Sequence, residues 1–250
     1  MPPVCLHLGI AKEAIERLQH PIALQNQGSY LLGSTTPDMR IITSATREET
    51  HFFDLTCDSY GSSIEGFFDR YPHLCEVAKL NSPTKAFVCG YLSHLVTDEV
   101  WICEIYRPFF GESSALAGDP LANVLDRALQ FELDCRERAD QRKVLEFQAL
   151  LAGSDSGVNV GFIDAATLRQ WREFVSTAVG REPSWERFPI FAQRFLIAEQ
   201  KVDPEQLEVF LASVRSKLDD IIEHVSAQQL AVFRERSIAD SVRVAGEYLG

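Results

Sequence analysis

Residues 81–108, NSPTKAFVCGYLSHLVTDEVWICEIYRP, decide the fold class. Asn81-Ser82-Pro83 reads as a helix start, with a serine cap and a proline in the first turn, where a missing N–H is tolerated. A long apolar helix is predicted from about Thr84 to Tyr106, ending near Pro108. Within it, GYLSHLVTDEVW (90–101) places His94 and Asp98 four residues apart, one turn above the other on the same face. An imidazole and a carboxylate so placed can converge on one metal ion. Gly90, one turn earlier on that face, leaves room for an approaching loop or ligand. Taken alone, the His-Asp pair is weak evidence for a metal, because a histidine hydrogen-bonded to an aspartate is a common structural feature.

The same period of three to four residues continues on both sides, and long alternating strand patterns are absent. Leu6 to Leu18 makes a first helix with Ile10, Ala14, Ile15 and Leu18 along one side, closed by His20-Pro21. A second short helix is expected over Ala23–Leu32. The text then changes character: GSTTPDMRIITSATREETHFFDLTCDSYGSS (33–63) is polar and lacks a period, so a long ordered loop with short turns is expected. Loops of this length inside a compact domain are usually functional. Helices resume over Ile64–Leu80 and again from about Pro120 to Leu151. The breaker-rich GSDSGVNVG (153–161) follows. Residues 164–249 read as further amphipathic helices separated near 180–184, at Asp203-Pro204 and at Ser226. The expected architecture is all-α, multi-helical, with a long loop carrying part of a site. Residues 1–152 form the helical domain that holds the chemistry, and 153–250 form an additional helical segment, left open as part of the same domain.

Composition narrows the function classes. The 250 residues carry 24 basic and 36 acidic side chains, a formal charge of −12. Phosphate-backbone affinity comes from Lys and Arg displacing counterions, so nucleic-acid binding is not the expected role. The cysteines, Cys5, Cys57, Cys75, Cys89, Cys103 and Cys135, contain no CxxC pair and fall mostly in apolar helical patterns. They read as reduced core thiols in a reducing compartment rather than a disulfide framework. The start, MPPVCLHLGIAKEAIERL, has neither a basic onset nor an uninterrupted apolar run, and no window approaches the roughly 18 apolar residues that span a bilayer. A cytoplasmic chain with no transmembrane segment is therefore the expectation.

Three further pieces join the His94–Asp98 pair. THFF places His51 at the end of the polar loop, LGSTTPDMR carries Asp38 after a proline, and His7 sits on the first helix among Leu6, Leu8 and Ile10. Each has a bland reading on its own: a loop histidine, a turn aspartate and a core histidine. Together, histidines and carboxylates drawn from several elements make a nitrogen-and-oxygen set suited to zinc, with manganese and iron as alternatives.

The order His7, GSTTPD, THFF, AFVCGYLSHLVTDE resembles the zinc-dependent phospholipase C family, which is related to the fungal single-strand nucleases. The resemblance covers about residues 5–110 and implies a helical fold with metals held between helices and by a long loop. It implies that Asp38, His51, His94 and Asp98 ligate a central zinc, that Asp98 also bridges to a neighbour, and that His7 ligates that neighbour. One Zn2+ is expected, with a second as an option. The chain departs from the family in two places. His7 follows Met1 closely and no leader is visible, so the mature amino terminus that completes the neighbouring site in secreted members is not expected here. Where three-metal members carry a histidine six residues after the bridging aspartate, this chain has Glu104, which on a straight helix lies about 120° around from Asp98. Ligation by Glu104 would need the helix to end or bend.

Such a centre suits metal-assisted hydrolysis of phosphate esters, with Asp38 as ligand or as the base that orients water. By resemblance the substrate is a phospholipid head group or another small-molecule phosphate ester. Arg40 and Arg47 are candidates to hold phosphate oxygens as planar forks, with solvated loop cations as the bland alternative. Trp101 could wall the pocket, although a core role is the simpler reading. The competing hypothesis is a non-catalytic scaffold or binding protein in which Asp38, His51, His94 and Asp98 close a tetrahedral structural shell. A nucleotide-clearing phosphohydrolase would require an adjacent His-Asp dipeptide, and the chain has none. The C-terminal third matches no motif and leaves a homo-oligomer open.

Overall fold

The computed structural model describes residues 3–53, 60–119, 121–182, 184–189 and 204–250. Among them there is no β-strand. The helices are α1 (Val4–Leu18), α2 (Pro21–Gln25), α3 (Gln27–Gly33), α4 (Arg47–His51), α5 (Ser62–Arg70), α6 (Ser82–Trp101), α7 (Arg107–Phe109), α8 (Ala122–Ala139), α9 (Gln141–Leu151), α10 (Ala165–Val179), α11 (Pro204–Ser213), α12 (Leu218–Val225) and α13 (Ala227–Leu249), with short 3-10 turns between some of them.

Helix α6 is the axis of the molecule. It is buried along nearly its whole length, from Ala86 to Trp101, and the polar side chains of Ser93, His94, Thr97, Asp98 and Glu99 are buried with the rest. Its N-terminus is capped by Asn81, whose side chain accepts from the Thr84 amide at 2.9 Å. The cap is thus one residue earlier than expected, with Ser82 and Pro83 already in the first turn. Helices α3, α13, α1 and α5 pack around it. On the α3 side the two backbones nearly touch. A Cβ on Gly33 would come within 2.0 Å of the Phe87 carbonyl oxygen, and one on Gly90 within 1.9 Å of the Tyr30 carbonyl oxygen. Gly90 does leave room for a neighbour, as expected, and that neighbour is a helix. The Ser93 hydroxyl meets the Ser241 hydroxyl of α13 at 2.9 Å.

Several expected boundaries move, each for a local reason. The single helix expected over Pro120–Leu151 is two, because the Asp140 backbone turns extended and its carboxylate caps α9, accepting from the Arg142 and Lys143 amides; Pro120 itself lies outside the described residues. The helix expected over Ile64–Leu80 ends at Arg70, and Pro72 opens two 3-10 turns. The helix expected over Ala23–Leu32 is split at Asn26 into α2 and α3. The polar stretch 33–63 folds into a 3-10 turn over Thr36–Ile41, helix α4 and the start of α5; residues 54–59, with Cys57, lie outside the described residues, as does Asp203. Breaks at 180–184 and at Ser226 fall where expected.

The N-terminus of α1 is satisfied from a distance. Asp134 of α8, fully buried, accepts from the Cys5 amide at 2.8 Å and pairs with Arg138. That contact holds the first turn of α1, two residues before His7. Trp101 is a core residue, 1% exposed, with its indole N–H on Asp126 at 2.9 Å. Cys5, Cys75, Cys89 and Cys135 form no disulfide, and Cys5 and Cys89 are buried. No helix among the described residues is long and apolar enough to cross a membrane.

Candidate metal centre

All five side chains singled out as metal ligands arrive in one place. His94 and Asp98 stand on consecutive turns of α6, as their spacing predicts. His7 comes from α1, Asp38 from the 3-10 turn after α3, and His51 from the last residue of α4. His7, His51, His94 and Asp98 are buried, and the Asp38 side chain keeps 15% of its exposure. Two overlapping groups of potential ligands result: His7 with His94 and Asp98, and Asp38 with His51 and His94.

The spacing of the donor atoms is informative. His51 Nε2 and His94 Nε2 are 3.4 Å apart, and each lies 3.4 Å from Asp98 Oδ2. Asp38 Oδ1 is 3.7 Å from His51 Nε2. These gaps exceed the roughly 2.7–3.2 Å of an ordinary N–H···O bond. They are close to the edge of a tetrahedron with zinc–ligand bonds of about 2.0–2.1 Å, which is about 3.4 Å. The other oxygen, Asp98 Oδ1, faces His7 Nε2 at 3.5 Å. Both carboxylate oxygens of Asp98 and both ring nitrogens of His7 are buried without a hydrogen-bond partner. Leaving such groups unpaired is costly, and a cation between them satisfies the donor set. The residues present therefore fit a zinc ion.

Surrounding groups fix how the rings present themselves. His94 Nδ1 is 2.8 Å from the Ser34 carbonyl oxygen, so it carries the proton and turns the Nε2 lone pair toward Asp98. His51 Nδ1 lies 2.8 Å from the Thr50 hydroxyl. That hydroxyl already donates to the Thr46 carbonyl at 3.1 Å, so it accepts from Nδ1–H and leaves Nε2 as the inward lone pair. Tyr91, on α6, donates to the Thr50 carbonyl at 2.7 Å and ties the segment bearing His51 to the helix bearing His94. A capping box of Thr46 and Glu49 closes α4 at its other end. His7 stacks on His94 with ring centroids 3.8 Å apart.

The electrostatics of the metal-free cluster follow from burial and neighbours. For His51, burial is the main cause and Arg47 adds to it, pushing the ring down to about 4 against the pull of Asp38 and Asp98. His7 is likewise lowered by burial and by His94. His94 goes the other way: burial opposes its charge, but Asp98 and Asp38 outweigh it and raise the ring above its ordinary value. Burial favours neutral Asp38 and Asp98, yet the surrounding histidines hold both carboxyls well below the usual range.

Arg40 and Arg47 also reach this neighbourhood. Arg47 is half-buried, stacks over Phe53 at 5.2 Å and is pushed down by burial; it feels the attraction of Asp98 and Asp38 and the repulsion of Arg40 and Arg127. Arg40 is half-buried with its Nε atom enclosed. Glu104 does not join the cluster. The winding of α6 changes after Trp101 to a π-helical turn over Ile102–Tyr106, but the turn delivers Glu104 to Tyr60 Oη at 2.7 Å and Arg236 Nη1 at 2.5 Å. Arg236 in turn lies over the Tyr60 ring at 4.0 Å. Glu99, beside Asp98 on α6, accepts from the Gly61 and Ser63 amides at 2.7 and 2.8 Å, capping α5. Ser34, Thr50, Tyr91 and Glu99 escape a reading of the sequence, since their roles come from partners distant in the chain or from backbone groups, and no spacing marks them.

No curated protein sequence and no solved structure matches the chain. A family model does match, and it spans the stretch from just before His7 to just past Asp98. Residues 6–101, which carry all five converging side chains, match the family described as zinc dependent phospholipase C.

Proposed function

We propose that the chain is a zinc-dependent hydrolase of phosphate esters, phospholipase C-like in its chemistry, with His51, His94, Asp98 and Asp38 as ligands of one ion and His7 with Asp98 as ligands of an optional second. The observation that carries this reading is the triangle of lone-pair donors with 3.4 Å edges on His51, His94 and Asp98. The family match over residues 6–101 supports it.

A bound zinc ion supplies Lewis acidity to a phosphoryl oxygen and acidifies a water. The chain's own groups do the rest. The Ser34 carbonyl and the Thr50 hydroxyl hold the His94 and His51 rings in the ligating tautomer. Asp38 is the most solvent-accessible donor of the set, and so the group placed to orient a water, as ligand or as base. Arg40 and Arg47 offer planar forks for phosphate oxygens. A phospholipid head group or a smaller phosphate ester is the substrate class that this donor set suits. A second reading, a scaffold with a closed structural ion, draws support from the complete burial of His51, His94 and Asp98.

Elemental mass spectrometry on protein purified without a histidine tag tests the metal, alongside His94→Ala and Asp98→Ala. About one equivalent of zinc or more, lost in both variants, is the expected result. A native protein that neither contains nor takes up metal would sink the proposal. Hydrolysis of phosphate esters by the zinc-loaded protein, lost in Asp38→Asn with zinc retained, then separates the catalytic reading from the scaffold.

A further inference from the structure

We propose that Phe52 is the positioning residue of His51: its left-handed backbone, locked by an aromatic socket on α5 and α6, sets the direction in which the His51 ring enters the ligand cluster. The proposal rests on the metal-centre reading for what His51 does, but how the ring is held can be measured with or without a metal.

Helix α4 has five residues, and His51 is the last of them. A helix this short has little stability of its own, so its end points where neighbouring segments tie it. Phe52 follows at once with φ 61° and ψ 13°. That region is sterically unfavourable for an ordinary side chain and an outlier for a bulky one; glycine or asparagine is the usual occupant at a helix end. Gln19 and Ser226 are the other non-glycine residues with positive φ among the described ones, and both are exposed helix caps. The Gln19 amide gains the bond that a left-handed cap normally makes, to the Ile15 carbonyl at 3.2 Å. Among the described residues, Phe52 makes no such bond back to α4. An unfavourable backbone conformation without that bond persists only where the surroundings impose it.

The surroundings here are aromatic. The Phe52 ring stands edge-on to Phe67 of α5, with centroids 5.6 Å apart, and to Tyr71 just beyond α5, at 5.9 Å. Edge-to-face contact is a preferred geometry for such pairs. Tyr91 of α6 lies 6.5 Å away, and both it and Phe67 are buried. Gly66 gives the backbone its space: a Cβ there would lie 2.9 Å from Phe52 Cβ and 3.2 Å from the Phe52 carbonyl oxygen. Tyr91 also donates to the Thr50 carbonyl at 2.7 Å. The residues on both sides of His51 are therefore tied to one socket. Between them the imidazole is carried to 3.4 Å from His94 Nε2 and from Asp98 Oδ2. A ligand constellation tolerates displacements of only about 0.5 Å, and the socket supplies that precision.

Nitrogen-15 NMR of histidine-labelled, metal-free protein reads the His51 ring, and zinc competition against a chromophoric chelator reads its use. Phe52→Gly leaves the left-handed backbone freely accessible and removes the aromatic anchor. It is expected to move the His51 nitrogen signals while those of His7 stay in place, and to weaken zinc binding about 10–100-fold. If that variant does not fold, Gly66→Ala carries the test, because its Cβ presses on Phe52 with the ring still present; the same two changes are expected. Native His51 signals in a folded variant overturn the proposal, and with zinc bound as in the native protein they leave the metal reading standing. His7 signals displaced as far as those of His51 mark general loosening and overturn it too, as does native zinc affinity with His51 displaced. Displacement of His51 alone, in a protein that takes up no zinc, supports the positioning role and removes the zinc reading instead.

Discussion

Gly90→Ala is the most exacting test of how the centre is built. A Cβ at this position would lie 1.9 Å from the Tyr30 carbonyl oxygen, 2.8 Å from its carbon and 2.9 Å from the Ser34 nitrogen, all of them backbone atoms of the neighbouring segment. Real Cβ atoms essentially never come closer than 3.0 Å, so α3 and α6 must part by about 1.1 Å. No flexible side chain can absorb that shift, which places the cost at the upper end of the overpacking range, about 3 kcal/mol. Alanine returns about 1 kcal/mol of helix propensity, leaving a net loss of about 2 kcal/mol and a melting temperature lower by roughly 4–8 °C. The same displacement draws the Ser34 carbonyl away from His94 Nδ1, where it now sits at 2.8 Å. Losing the partner that orients a ligating histidine typically weakens metal binding by about 10–100-fold. Thermal unfolding of the metal-free protein and zinc competition against a chromophoric chelator measure both effects. Gly246→Ala is the control: its Cβ would meet nothing closer than Leu18 Cδ1 at 3.7 Å, so it should stabilise the protein by about 1 kcal/mol. If Gly90→Ala also melts at or above the native temperature with native zinc affinity, the close approach of α3 and α6 does not build the site.

Three other outcomes follow from the same contacts. Because Asp98 and Asp38 raise His94 above its ordinary value, the metal-free ring still carries its second proton at the pH where an ordinary histidine is half neutral, and zinc must displace that proton; calorimetry in buffers of different ionisation enthalpy over a pH series should register a proton release that persists above the ordinary histidine value, and a release already lost there would contradict it. Asp134→Ala strips the Cys5 amide and Arg138 of their buried partner; about 3 kcal/mol of stability should go, the lower end for a broken buried pair, read by urea denaturation, and a loss under about 1 kcal/mol would show that the contact does not hold α1. Glu99→Ala leaves the Gly61 and Ser63 amides without their acceptor; faster hydrogen exchange at the start of α5 and a loss of about 2 kcal/mol are expected, with zinc content retained, and unchanged exchange there would refute the capping role.

Much of the centre was legible in the sequence because its information is local. The four-residue spacing of His94 and Asp98 needs nothing but helical geometry to place both on one face, and the family resemblance supplied the order in which His7, Asp38 and His51 join them. Glu104 shows where local reasoning stops. Its angular position on an ideal helix was read correctly, but the π-helical turn and the contacts of Tyr60 and Arg236 direct the carboxylate elsewhere. Asp140 shows the same limit in the opposite sense: a residue ordinary within a long helical pattern became a cap that split it.

What the amino-acid order determined by itself was the helical period, the apolar character of α6 and the ligand types available, since each depends on residues within a turn or two of one another. The tertiary structure alone decided which lone pairs face one another and what holds them there. Ser34 against His94, Asp134 against Cys5 and Trp101 against Asp126 join residues from 25 to 129 positions apart. Such contacts arise from the packing of whole helices, in which glycines at 33 and 90 set the distance between backbones, and hydrophobic periodicity says which face is buried but not which partner it meets.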